Sequence, residues 1–120
     1  MRRVLVIDDE DIITDMLKDV LESKGYEVIV ANSGREGLAR ALDFKPNLIV
    51  LDINMPGMSG FEVLSNLKKN AETRNIPVII STINDSKLEI DRGYSLGAKK
   101  FLVKPYSANF LQKTLELAVA

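Results

Sequence analysis

A chain of 120 residues, 46% hydrophobic and 28% charged, has the length and composition of one globular domain that can bury its own core. Its formal net charge of −1 supplies no global field toward nucleic acid or anionic lipid. The absence of Cys excludes disulfides and thiolate chemistry, the absence of His removes the usual general base, and no apolar run is long enough to span a membrane. Met1-Arg2-Arg3 leads straight into an apolar strand and then acids, with neither an apolar h-region nor a small-residue cleavage site. A cytoplasmic protein is therefore expected.

Strand and helix patterns alternate along the chain. Val4 to Ile7 is a short apolar run that reads as a strand. Asp11 to Ser23 follows as a helix, with Ile12, Ile13, Met16, Leu17, Val20 and Leu21 recurring at helical spacing and Lys24-Gly25 as its stop. Tyr26 to Ala31 alternates less cleanly and reads as a more exposed strand. Ser33 caps a short helix with Leu38, Ala41 and Leu42 on its inner face, and Pro46 ends it. Asn47 to Leu51 is the most continuously apolar strand and hence central. The loop from Asn54 to Gly60 leads into a helix bearing Phe61, Leu64 and Leu67. Ile76 to Ser81 is a strand, and Asp85 is the expected cap of a weakly patterned helix that ends near Leu96-Gly97. Lys100 to Val103 and a helix from Ser107 to about Val119 complete the pattern. Regular alternation with short connections predicts a single α/β domain over residues 1–120: a doubly wound parallel sheet with right-handed crossovers and helices on both faces.

The special polar residues fall just past the strands. Asp8 and Asp9 follow the first, Asp52 closes the third, Thr82 ends the fourth, and Lys104-Pro105 ends the fifth. In an open parallel sheet that edge is where ligands bind. Taken singly, Asp8-Asp9 serves equally well to cap the next helix, Asp52 is a turn residue and Lys104 a solvated surface charge. Together they make an acidic pocket with a cation beside it. Clustered carboxylates raise one another's pKa unless a cation is present, and a hard divalent ion such as Mg²⁺, held by carboxylate oxygens and waters, meets that need.

The combination resembles a receiver domain of two-component response regulators, the CheY-like family, over essentially the whole chain. The pattern consists of the acid pair Asp8-Asp9, the run Asp-x-x-Met-Pro-x-Met-x-Gly from Asp52 to Gly60, Thr82, Gly97-Ala98 and Lys104-Pro105. The resemblance implies a five-stranded (βα)5 sheet in the order 2-1-3-4-5. It also implies that Asp52 accepts a phosphoryl group from a partner histidine kinase or phosphotransfer protein. The phosphohistidine comes from that partner, since this chain has no His. Asp9, Asp52 and the Asn54 backbone carbonyl would ligate Mg²⁺, with Asp8 acting through a bound water. Thr82 and Lys104 would contact the phosphoryl group, and Thr82 and Phe101 would form the switch. Taken alone, Phe101 reads equally well as a half-buried strand aromatic. The resemblance further implies a cis Lys104-Pro105 bond, which aims Lys104 back into the pocket. A downstream protein is expected to bind the face of the fourth helix, fifth strand and fifth helix, on or near Tyr94, Lys99, Lys100 and Tyr106, with no direct role for nucleic acid or membrane.

Two positions depart from the family pattern. Ile83 stands where Ala or Gly is usual, so a branched side chain borders the phosphoryl entrance. Lys99-Lys100 replaces the acidic pair common in receivers that dimerise above winged-helix DNA-binding domains, which argues against that mode of dimerisation. Three other readings compete with this one. A haloacid-dehalogenase-type phosphatase needs Asp-x-Asp-x-Thr/Val, which Asp9-Glu10-Asp11-Ile12-Ile13 does not supply. A flavodoxin-type FMN site needs Ser, Thr and Gly where this chain has Asp8-Asp9-Glu10-Asp11. A receiver fold kept as an unphosphorylated binding module has Ile83 as its support and the intact acid, Thr and Lys set against it.

Overall fold

The structure, a computed structural model, describes residues 2–119. Its elements in chain order are β1 (Arg3–Ile7), α1 (Asp11–Ser23), β2 (Glu27–Ala31), α2 (Gly34–Phe44), β3 (Leu48–Asp52), α3 (Gly60–Lys69), β4 (Val78–Thr82), α4 (Lys87–Ser95), β5 (Lys100–Val103) and α5 (Ala108–Val119). The strands form one parallel sheet in the order β2-β1-β3-β4-β5, as expected.

Alternation along each strand sorts the core into two halves, because successive side chains point to opposite faces. Leu5, Ile7, Ile49, Leu51, Val78 and Ile80 face one way and pack with Ala41, Phe61, Val63, Leu64 and Leu67 from α2 and α3. Val4, Val6, Leu48, Val50, Ile79 and Leu102 face the other way, against Leu17 and Leu21 of α1 and Leu111, Leu115 and Ala118 of α5. All five residues of β3 are buried, which accounts for its unbroken apolar run and its central place.

Most boundaries fall within a residue or two of expectation, and two shifts have clear causes. β4 starts at Val78, since Pro77 has no N–H for a ladder and contributes only its carbonyl, which accepts from the Ile49 N–H at 3.0 Å. It also runs through Thr82, which pairs with Val103. The cap of α4 is Ser86 rather than Asp85. The Ser86 hydroxyl accepts from the Glu89 N–H at 3.3 Å. The same Ser-x-x-Glu spacing opens α2, where Ser33 accepts from Glu36 at 3.2 Å, and α3, where Ser59 accepts from Glu62 at 3.3 Å.

α4 is the most lightly anchored element. Gly93 is its only buried residue, and Leu88 is left exposed. Gly93 lies over the Phe101 ring and Ile80. A Cβ there would collide with the ring and come within 2.7 Å of Ile80 Cδ1. The Tyr94 and Phe101 rings meet at 5.1 Å between centroids, which completes the contact. Overpacking of this kind costs about 1–3 kcal/mol. Gly93→Ala is therefore expected to lower the urea midpoint by a corresponding amount. It should also shift the Phe101 ring resonances while leaving those of α1 unchanged.

Candidate functional site

The parallel sheet brings the carboxyl ends of β1, β3, β4 and β5 to one edge. Asp8 follows β1 and is 1% exposed, while Asp52 ends β3 and is 3% exposed. Asp9 and Glu10 stand beside them in the open. One carboxylate oxygen from each of Asp8, Asp9, Glu10 and Asp52 lies within 4.8 Å of the others. Lys104, just past β5, donates from Nζ to Asp8 Oδ2 at 3.1 Å and stands 3.7 Å from Asp52 Oδ1. The Lys104-Pro105 peptide is cis.

The electrostatics follow from burial. Desolvation, and then the Asp8 charge, push the Asp52 carboxyl up to about 6, and Asp9 adds to the effect. Lys104 and the Asn54 N–H, which donates to Asp52 Oδ1 at 3.4 Å, pull the other way and do not overcome it. Burial alone would lower the Lys104 pKa, but the Asp8 hydrogen bond and the Asp52 and Asp8 charges outweigh it and raise the pKa above the usual lysine value. A cluster of four carboxylates with one close ammonium is under-neutralised. An all-oxygen donor set of this size suits a hard divalent cation such as Mg²⁺.

The turn after β3 depends on two glycines. Gly57 has φ +75, and Gly60 packs so closely that an added Cβ would collide with the Asp52 carbonyl and lie 2.5 Å from Ile53 Cα. Its N–H donates to the Ile53 carbonyl at 2.9 Å and closes the loop beside Asp52. At the end of β4, the buried Thr82 hydroxyl accepts from the Asn84 N–H at 3.0 Å and keeps its own proton free to donate. Phe101 is half-buried beneath α4, on the same side of the sheet as Ile80.

A family model described as the response regulator receiver domain matches residues 4–116. The chain belongs to that family. This receiver domain is 38% identical over 120 residues to protein PilH of Pseudomonas aeruginosa, covering 100% of this chain and 99% of that protein. It is 38% identical over 106 residues to the alkaline phosphatase synthesis transcriptional regulatory protein PhoP of Bacillus subtilis, matching 88% of this chain but 43% of PhoP. The solved structure of the chemotaxis protein CheY4 of Vibrio cholerae superposes with a TM-score of 0.95 at 36% identity, covering 98% of each chain.

The receiver edge thus gathers Asp8, Asp9, Asp52 and Lys104 in one cluster, with Asn54 in the adjoining loop and Thr82 at the end of β4, whereas Phe101 lies away from it beneath α4. One participant, Glu10, and one contact, that of Tyr106, were not legible in the sequence. Glu10 joins the acid cluster, and its N–H donates to Asp8 Oδ1 at 3.0 Å. The sequence shows only that the acid pair continues into Glu10 without a break. Tyr106, expected on or near the outer face, lines a surface cavity together with Phe101, Val103 and Phe110 and also packs with the α1–α5 half of the core. Its hydroxyl lies 3.3 Å from Ser81 Oγ, and burial raises its pKa against the pull of that hydrogen bond and of Lys104. Lys99, grouped with the same face, immediately precedes β5 at the amino-terminal edge of the sheet, where its N–H donates to the Val78 carbonyl at 2.8 Å.

A carboxyl titrating near 6 in the fold and near 3.8 in the unfolded chain binds its proton more tightly when folded. In EDTA this group penalises folding in full above the folded pKa, and the penalty fades as pH falls from about 6 toward 4. Asp52→Asn is therefore expected to be more stable than the parent at neutral pH, with the gap in urea midpoint narrowing through that window. A gap independent of pH would contradict this account of Asp52.

Proposed function

We propose that this receiver domain is a Mg²⁺-dependent phosphoacceptor that takes a phosphoryl group onto Asp52 from the phosphohistidine of a partner kinase or phosphotransfer protein. An Asp52 oxygen attacks phosphorus, the P–N bond breaks, and the imidazole leaves with the bonding electron pair. The product is an aspartyl acyl phosphate. The observation that carries the reading is the convergence of the Asp8, Asp9, Glu10 and Asp52 oxygens within 4.8 Å, with Lys104 against them.

Asp9, Asp52 and the Asn54 carbonyl would hold the ion, with Asp8 acting through a bound water. When bound, Mg²⁺ would neutralise the phosphoryl oxygens, which is most of what such a transfer requires beyond alignment. Lys104 is placed to exchange part of its Asp8 contact for a phosphoryl oxygen. Thr82 has a proton to donate, and loop N–H groups after Asp52 add further donors. As Thr82 turns toward the phosphoryl group, Phe101 moves inward under α4, and the α4-β5-α5 face is reset for a downstream protein. This is a population shift between two packings. Autodephosphorylation would use water approaching opposite Asp52, past Asn54 and Asn84. Among the described residues no helix is long and apolar enough to cross a membrane. We read the domain as cytoplasmic and acting through protein contact.

Intact-mass or acid-labile phosphate analysis after incubation with a phosphorylated histidine kinase should show one phosphoryl group on the parent protein. None is expected on Asp52→Asn or in excess EDTA. Labelling of Asp52→Asn to the parent level would refute the assignment to Asp52, and absence of label on the parent protein would favour an unphosphorylated binding module.

Ile83 follows Thr82 and is 73% exposed, so its side chain lies on the open surface beside the proposed approach. Ile83→Ala is expected to speed phosphorylation by acetyl phosphate, and loss of the phosphoryl group, severalfold each, with Mg²⁺ affinity unchanged. Unaltered rates would place Ile83 outside the water path.

A further inference from the structure

The sheet edge opposite the acid cluster carries the opposite charge. The residues entering β1, β3, β4 and β5 border a cavity of about 630 Å³ there. Arg2, Lys68, Arg74 and Lys99 line it, with the side-chain amides of Asn47 and Asn75, and no carboxylate does among the described residues. None of these four cations has an ion-pair partner among the described residues. A chain with net charge −1 thus brings four positive groups together with no carboxylate partner among the described residues.

Lys68 is the built part of the cavity. Its ammonium donates to the carbonyls of Arg74 at 3.0 Å and Ile76 at 2.9 Å, which pins it across the connection from α3 to β4. An ammonium has three donors, so one remains unspent. Burial lowers the Lys68 pKa, and no carboxylate among the described residues offsets it, as for a charge that lacks its counter-ion. Asn47 accepts from the Arg3 N–H at 2.7 Å through Oδ1, which leaves its NH₂ group as a further donor.

We infer that this cavity binds a small polyphosphate anion: pyrophosphate or the phosphate chain of a nucleotide. Its volume lies in the range of small-molecule sites and exceeds what a single phosphate fills. Forked guanidinium and ammonium donors suit phosphate oxygens. Among the described residues no aromatic side chain lines the cavity, so a base gains no stacking platform and recognition falls on the phosphates.

The test is a titration of the ¹⁵N-labelled chain with pyrophosphate in EDTA at low ionic strength, where screening is weak. Saturable amide shifts are expected at Lys68, Arg74, Asn75, Gly97 and Lys99, without shifts at Asp9 or Asp52. Arg74→Glu with Lys99→Glu, both exposed positions, should weaken binding by at least about tenfold, since reversing two charges replaces attraction with repulsion. Arg74→Gln and Lys99→Gln singly should give smaller losses, and they keep the test decisive if the double variant folds poorly. Mg²⁺ affinity should remain at the parent value throughout. ATP binding as tightly as pyrophosphate supports recognition of phosphates alone, and tighter ATP binding identifies a nucleotide as the source. Shifts that never saturate, that spread equally to Arg35 and Arg40, or that survive the charge reversals would overturn the inference. So would binding of an oligonucleotide or an acidic peptide at these residues while pyrophosphate stays inert.

Discussion

Two buried carboxylates and one ammonium govern the functional end of this domain. Asp8 and Asp52 are carried out of water at the ends of adjacent strands, and Lys104 reaches both from a third strand, at 3.1 Å and 3.7 Å. One cation cannot neutralise two buried acids and the two exposed ones beside them, and the Asp52 pKa is raised by burial first and by the neighbouring Asp8 charge second. Burying charge without full compensation is costly. Under the proposed function that cost is acceptable, because the site would receive a divalent ion and a phosphoryl group. The turn glycines Gly57 and Gly60, the buried hydroxyl of Thr82 and the register of Thr82 with Val103 serve to keep these groups at one edge.

The same edge is linked to a distant face through very few atoms. Thr82 lies at the end of β4, Phe101 is half-buried on neighbouring β5, and Gly93 leaves the room the ring occupies beneath α4. α4 has little buried surface holding it elsewhere, so it is the element most easily repacked. On the opposite side of the sheet, Tyr106 ties Ser81 to the start of α5. The two faces are thus joined to the acid edge by different aromatics, one near a glycine and one held by a hydroxyl contact.

Charge divides this small molecule into two poles. Acids collect at the carboxyl ends of the strands and unpaired basic groups at the amino ends, although the whole chain is almost neutral. Composition averages these poles away. A net charge of −1 correctly excluded a global field but concealed a local one, because Arg2 and Lys99 are far in sequence from Lys68 and Arg74 and meet them only when the strands begin at one edge.

The sequence alone determined the alternation of strand and helix, the central place of the run from Leu48 to Leu51, and the family, because these rest on local periodicity and on short motifs with fixed spacing. It also nominated Asp8, Asp9, Asp52, Thr82 and Lys104, since each directly follows or closes an apolar strand. Ser86 was legible too, through the Ser-x-x-Glu spacing it shares with Ser33 and Ser59, but weak apolar patterning in α4 drew the boundary to Asp85. Only the tertiary structure decided that Lys104 bonds Asp8 more closely than Asp52, that Glu10 joins the acid cluster, that Tyr106 reaches Ser81, and that Gly93 makes room for Phe101. Each of those depends on where a side chain from one strand or helix meets another distant in sequence. Periodicity reports which face a residue occupies, but not how far along that face its partner lies.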